Sequence, residues 1–159
     1  MLDEHLQLLD RLWTGEPVRH EGRFYRTAGP EWSAICYPPP LQQPRIPVWV
    51  GGTWPGTRPF VRAARWDGVV PMRLDGKWEV ADTAAVAERM RELRTDPAPF
   101  DLAVPAESDG GDPGRRDLHA AHAEAGATWW VEPVYPWRED LPPELPWPAA
   151  ARHRIDQGP

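Results

Sequence analysis

The chain has 159 residues, of which 41% are hydrophobic and 26% charged, a balance that suits one globular domain, at most two. A formal net charge of −6 and a pI near 5.3 argue against a nucleic-acid binder or a basic membrane-surface protein. Cys36 is the single cysteine, so neither an intrachain disulfide nor a cysteine metal cluster is available. No apolar run approaches the ~20 residues of a membrane span, and the acidic start Met1-Leu2-Asp3-Glu4 does not read as a signal peptide, so the expected location is the cytoplasm.

Leu2, Leu6, Leu9 and Trp13 follow the spacing of one helix face, with Leu8 and Leu12 widening it, which predicts a helix over 2–14. Gly15 is placed to end it, with Pro17 beyond. The helix begins at Met1 with no capping residue before it. Residues 17–27, with Val18, Phe24 and Tyr25 around Glu21-Gly22, read as a short hairpin. Residues 28–45, centred on Pro38-Pro39-Pro40, read as an extended connection.

Ile46 to Val50 forms a short apolar run closed by Gly51-Gly52, the pattern of a buried strand. A helix follows from Thr57, then a strand over 68–72 after Asp67-Gly68. The clearest helix covers 80–94. Strands over 100–105 and 128–134 enclose a polar loop from Glu107 to Gly114 and a short helix from Asp117 to Ala125 that ends at Gly126. The remainder is Pro-rich, with a turn of helix near 149–155. Strand starts near 46, 67, 100 and 128 lie roughly 20–35 residues apart, as βαβ units require. Alternation of strand and helix implies a parallel α/β sheet with strands in sequential order. Four units fall short of a closed eight-stranded barrel, which takes about 250 residues.

The order of segments carries a resemblance. Leu12-Trp13-Thr14-Gly15-Glu16-Pro17-Val18 is followed by Glu21-Gly22-Arg23-Phe24-Tyr25, and then by a Pro-rich stretch with Gln43-Pro44. Pro47-Val48-Trp49-Val50-Gly51-Gly52-Thr53 comes next, and Ala63-Ala64-Arg65 runs into Asp67-Gly68. Through residues 2–72 the chain resembles the bacterial luciferase-like monooxygenases, flavin-dependent oxidoreductases on a (β/α)8 barrel. The resemblance implies the C-terminal half of a TIM barrel: four parallel βα units with a leading helix and a short hairpin insertion. It implies one partial domain over 1–159, made of a helix (1–15), hairpin and Pro-rich connection (16–45), βα units (46–135) and Pro-rich tail (136–159). Strands five to eight of the family's barrel are matched. The family's non-proline cis peptide and its catalytic histidine belong to the first four strands, so no catalytic residue is assigned. An uncapped helix at Met1 fits a chain that begins in the middle of a domain.

Gly51-Gly52-Thr53-Trp54-Pro55-Gly56-Thr57 joins a strand to a helix start, where glycines admit close backbone approach and free N–H groups attract anions. By shape alone the segment is equally a tight βα turn with Thr57 as a plain N-cap. The resemblance implies that this loop holds the phosphate of FMN or of the deazaflavin coenzyme F-420. It singles out Gly52, Thr53 and Gly56 first, then Gly51 and Thr57, with Arg58 adding charge. A single lysine (Lys77), no asparagine and abundant Arg, Ala, Pro and Gly match a high-GC bacterial genome and lean toward F-420.

Glu107, Ser108 and Glu132 fall at the strand ends that face a barrel's active site, where they are ribityl or substrate contacts, or solvated loop acids. Asp67-Gly68 lies at the opposite end and reads as turn chemistry. His119 and His122, with Glu124, form half a metal site at most and read as a polar surface helix; no metal is expected. Trp49 and one of Trp129-Trp130 are expected to face inward, and Trp54 lies on the loop side.

Two functions are compatible with these residues. One is a flavin-type oxidoreductase whose small organic substrate is undetermined, this chain supplying the cofactor-phosphate half. The other is a non-catalytic half-barrel that serves in assembly. An open sheet with two bare edges is expected to self-associate.

Overall fold

A computed structural model describes the chain apart from residues 28, 30–32, 106–113, 133–143, 145, 147–148, 150–151, 154 and 157–159. The chain divides into two compact units, Met1–Val48 and Trp49–Pro159.

The first unit is built on helix α1 (Leu2–Leu12), whose leucine stripe buries Leu8. The chain turns away through Gly15, which sits at φ +79°, a conformation that a side chain would strain, with Pro39 packed against it. Arg45 closes back onto α1 through an ion pair with Asp10 at 2.9 Å. The expected hairpin is present and short: Glu21 bridges Arg26 antiparallel, with the Gly22 amide donating to the Tyr25 carbonyl and the Thr27 amide to the His20 carbonyl, each at 2.9 Å, and Val18 bridges Ala34. Glu4 of α1 ties its turn down, the carboxylate accepting the amides of Phe24 (3.1 Å) and Tyr25 (2.9 Å). His20 also stands 3.1 Å from it.

The second unit is a four-stranded sheet in the order β1-β2-β3-β4. Its strands are β1 (Trp49–Thr53), β2 (Gly68–Met72), β3 (Asp101–Pro105) and β4 (Trp129–Val131), with helices α2 (Arg58–Ala63), α3 (Val80–Leu93) and α4 (Arg115–Glu124) between them. Each neighbouring pair is parallel, as the interval reading requires. The α/β pattern is that of a partial TIM barrel.

Side chains alternate across the strands. Val50, Val69, Leu102 and Val104 are buried with Phe60, Ala63, Val86 and Met90 of the helices, so the core lies between the sheet and its helical layer. The opposite face carries Gly51, Met72, Trp129 and Val131, which are exposed, around the buried Gly68 and Ala103. β1 starts and ends three residues later than the sequence pattern suggests. Gly51 and Gly52 do not close the strand but belong to it. Pairing of β2 with β3 covers only Gly68–Asp101 and Val69–Leu102; Pro71, two residues on, has no N–H to extend it.

α3 begins where Asp82 accepts the Glu79 amide at 3.1 Å, and Arg73 bridges to the same carboxylate at 3.0 Å. α4 ends at Gly126, at φ +109°. The helical turn expected near 149–155 lies partly outside the described residues, and the end of the fourth expected strand, from 133, lies wholly outside them.

Candidate functional site

In a parallel βα unit, ligands gather at the C-terminal ends of the strands, where loops enter the helices. Here that place is the segment from Gly51 to Arg58. The Trp54 amide donates to the Met72 carbonyl at 2.8 Å, and the Gly56 amide to the Thr53 carbonyl at 2.8 Å, which folds the segment into a tight turn. The Trp54 ring meets Phe60 edge-on, 5.2 Å between centroids. Trp54 is thereby spent on anchoring the loop to α2.

The five loop residues singled out by sequence separate into two groups. A Cβ on Gly52 would collide with Pro59, and one on Gly56 would stand 2.6 Å from the Thr53 carbonyl oxygen. Packing and turn closure therefore account for these two glycines, and neither has positive φ. Gly51 is different. It is exposed, and a Cβ there would meet nothing within 4 Å. Thr53 shares its face of β1, half-buried.

Thr57 occupies the N-cap position of α2, yet its hydroxyl makes no capping hydrogen bond. The plain N-cap reading requires that bond. Among the described residues, the hydroxyls of Thr53 and Thr57 and the amides of Thr57 and Arg58 have no partner, and exposed Arg58 has no ion pair. The first turn of α2 contains no acidic residue. α2 has only six residues, so its dipole adds little. Hydroxyls, amides and the guanidinium make this end of β1 a donor-rich surface.

The other singled-out residues go elsewhere. Glu107 and Ser108 lie outside the described residues. Glu132 is half-buried and accepts the Trp130 indole N–H at 2.9 Å. Gly68 lies at the N-terminal end of β2, where a Cβ would stand 2.5 Å from Trp49 and 2.8 Å from the Asp101 carbonyl.

The surface-helix reading of His119 and His122 is corrected. His122 is 1% exposed, and its Nδ1 is 2.8 Å from the Thr83 hydroxyl. Burial first, then the neighbouring His119, pushes its pKa below the ordinary histidine value. The His119 ring lies 4.1 Å from that of Trp130, and its Nε2 is buried without a hydrogen-bond partner. Among the described residues no cluster of three or more metal-binding side chains occurs.

Sequence reasoning passed over Asp101. Its carboxylate accepts from Trp49 Nε1 (3.1 Å), Thr128 Oγ1 (3.0 Å) and Trp129 Nε1 (3.0 Å). The inward-facing Trp49 expected from strand alternation is thus half-buried on the open face and hydrogen-bonded, its ring 5.4 Å from that of Trp129. Fifty-two residues separate Trp49 from Asp101, and no local pattern announces the pair.

The parallel sheet with alternating helices defines a partial barrel of the α/β class. The family model described as luciferase-like monooxygenase matches residues 1–108, and the chain belongs to that family, one of flavin-type oxidoreductases. No curated protein matches the chain. Among the described residues, no helix is long and apolar enough to cross a membrane.

Proposed function

We propose that this chain provides the cofactor-phosphate end of a flavin-type oxidoreductase acting on a small organic substrate in the cytoplasm, with FMN or coenzyme F-420 as cofactor. The observation that carries the reading is the set of unpartnered donors on Thr53, Thr57 and Arg58 beside the open Gly51. Gly51 leaves room for a phosphate to approach the strand backbone. The two threonine hydroxyls and the free amides donate to its oxygens, and Arg58 balances its charge. Gly52 and Gly56 act one step back, by letting Pro59 sit on the strand and by closing the turn. When bound, the cofactor supplies the hydride or electron chemistry, while the protein orients it and keeps water from its ring.

The test is calorimetry with FMN against riboflavin, which lacks the phosphate. FMN binds more tightly, and Thr53→Ala removes about 0.5–1.5 kcal/mol of that advantage. Equal affinity for FMN and riboflavin would leave the loop as a turn and nothing more.

A second reading, assembly without catalysis, is favoured by the open sheet face, where Trp129 is 53% and Met72 47% exposed. Two copies related about a common axis would set β4 of one beside β1 of the other and close eight parallel strands. Sedimentation at micromolar concentration distinguishes the readings: a compact monomer that binds FMN supports the first, and a dimer indifferent to FMN the second.

A further inference from the structure

At the far end of the sheet, on its helical side, lies a cleft of about 410 Å³, within the size range of small-molecule sites. One wall is a stripe of α3, Ala87, Met90 and Arg91, at the i, i+3, i+4 spacing of a single helix face, continued by the C-cap Arg94. The floor is Phe100 and Leu102, where β3 begins. Gly126 closes it from the α4–β4 turn, close enough that a Cβ there would stand 2.8 Å from Ala87. Leu102 is the second residue of β3, so the cleft is at the opposite strand ends from the Gly51–Arg58 loop.

The charge in this cleft is unbalanced. Arg94 donates to the carbonyls of Trp66 (3.0 Å), Ala98 (2.8 Å) and Asp96 (3.2 Å), and its guanidinium lies 4.4 Å from the Phe100 ring centroid. Carbonyls occupy both of its terminal nitrogens without neutralising its charge, and no carboxylate among the described residues pairs with it. Arg91, one turn earlier and exposed, has no hydrogen bond or ion pair among the described residues. Against these two cations the cleft holds one carboxylate, Asp96, whose Oδ1 accepts the Ala98 amide at 2.9 Å.

We propose that the cleft binds a small amphipathic monocarboxylate, its apolar body against Met90, Phe100 and Leu102 and its carboxylate on the Arg91 guanidinium. Arg91 is the cation free to form a two-pronged pair, because both terminal nitrogens of Arg94 are engaged. Asp96 in the same cleft disfavours a second negative charge on the ligand. A cationic ligand would meet two guanidinium groups for one carboxylate. The proposal is independent of the flavin reading, since the two sites share no residue.

The experiment titrates the full chain with 4-phenylbutyrate, 4-phenylbutan-1-ol and 4-phenylbutylamine, which share one apolar body. The carboxylate binds saturably and about tenfold more tightly than the alcohol, with the amine weakest. Arg91→Gln, at an exposed position, keeps the thermal melt and brings the carboxylate to the level of the alcohol. Arg91→Glu reverses the order in favour of the amine. Equal binding of acid and alcohol by the unaltered chain, a preference that survives Arg91→Gln, or no saturable binding of any probe at millimolar concentration overturns the proposal.

Discussion

The Thr83 hydroxyl and the His122 ring nitrogen Nδ1 stand 2.8 Å apart between α3 and α4, in a place that solvent does not reach. The Trp78 indole N–H also points at that hydroxyl, at 2.9 Å. The hydroxyl oxygen accepts that indole proton, and the imidazole, taken out of water, is driven toward its neutral form.

Acid should therefore loosen the second unit. The folded pKa of His122 lies below the unfolded value of 6.5, so below that pH the unfolded chain takes up a proton that the folded chain refuses. Stability is fully present above about 6.5 and falls as pH drops through it, until the folded ring itself titrates. Thr83→Val orphans both the indole N–H and Nδ1, at about 1–3 kcal/mol for each buried group. Urea unfolding across this pH range checks both expectations; a midpoint independent of pH in the unaltered chain would remove His122 from the account.

Asp101 ties three strands at the end of the sheet away from the loop. Its two oxygens receive three donors, from β1, from Thr128 and from β4. Asp101→Asn turns one oxygen into a donor facing another donor, so about 1–3 kcal/mol of stability is lost. Trp129 is already half exposed and loses its hydrogen bond, so tryptophan emission shifts to the red before global unfolding. An unchanged urea midpoint and spectrum would show that the indoles are held by packing alone.

Glu4 makes the corresponding test in the first unit. Partial burial raises its carboxyl, but hydrogen bonds from His20 and from the Phe24 and Tyr25 amides outweigh that and hold it at about 2, below the usual 4.5. Its stabilising share is present above about 4.5 and is lost as pH falls toward 2. Glu4→Gln should flatten the acid limb of the stability profile between those values, read by far-UV circular dichroism. A limb of unchanged steepness would mean that the carboxylate contributes nothing net.

Period and punctuation made the βα order legible from sequence. Leucine spacing set α1, Gly15 and Gly126 marked helix ends that do adopt positive φ, and the strand intervals gave a parallel sheet in sequence order. What escaped was non-local. The stretch from Asp117 to Ala125 reads as a polar helix, and only Thr83, 39 residues away, together with Trp130, makes a core residue of His122. The short hairpin was legible, with Glu21 bridging Arg26, but not the carboxylate that holds its turn: Glu4, 20 and 21 residues earlier, accepts the Phe24 and Tyr25 amides. At the loop, sequence located the segment but ranked its glycines by motif. Sorting Gly51 from Gly52 needed the position of Pro59, which sits on one side of β1 only.

That difference between adjacent glycines yields the sharpest expectation for the candidate site. Gly52 faces α2, and any Cβ there meets Pro59. Gly52→Ala overpacks the contact and costs about 1–3 kcal/mol of stability, whether or not an anion binds nearby. Gly51 faces the open side, and a Cβ there meets nothing within 4 Å. Gly51→Ala therefore costs less than about 1 kcal/mol, because a strand accepts alanine as readily as glycine. Its effect belongs to ligand binding: the added methyl occupies the approach to the strand backbone, so the advantage of FMN over riboflavin shrinks while the melt holds. Thermal melts paired with FMN and riboflavin titrations of the two variants decide the matter. If Gly51→Ala keeps the full FMN preference, the phosphate does not approach the strand at Gly51, and the hydroxyls of Thr53 and Thr57 with Arg58 are left to hold it.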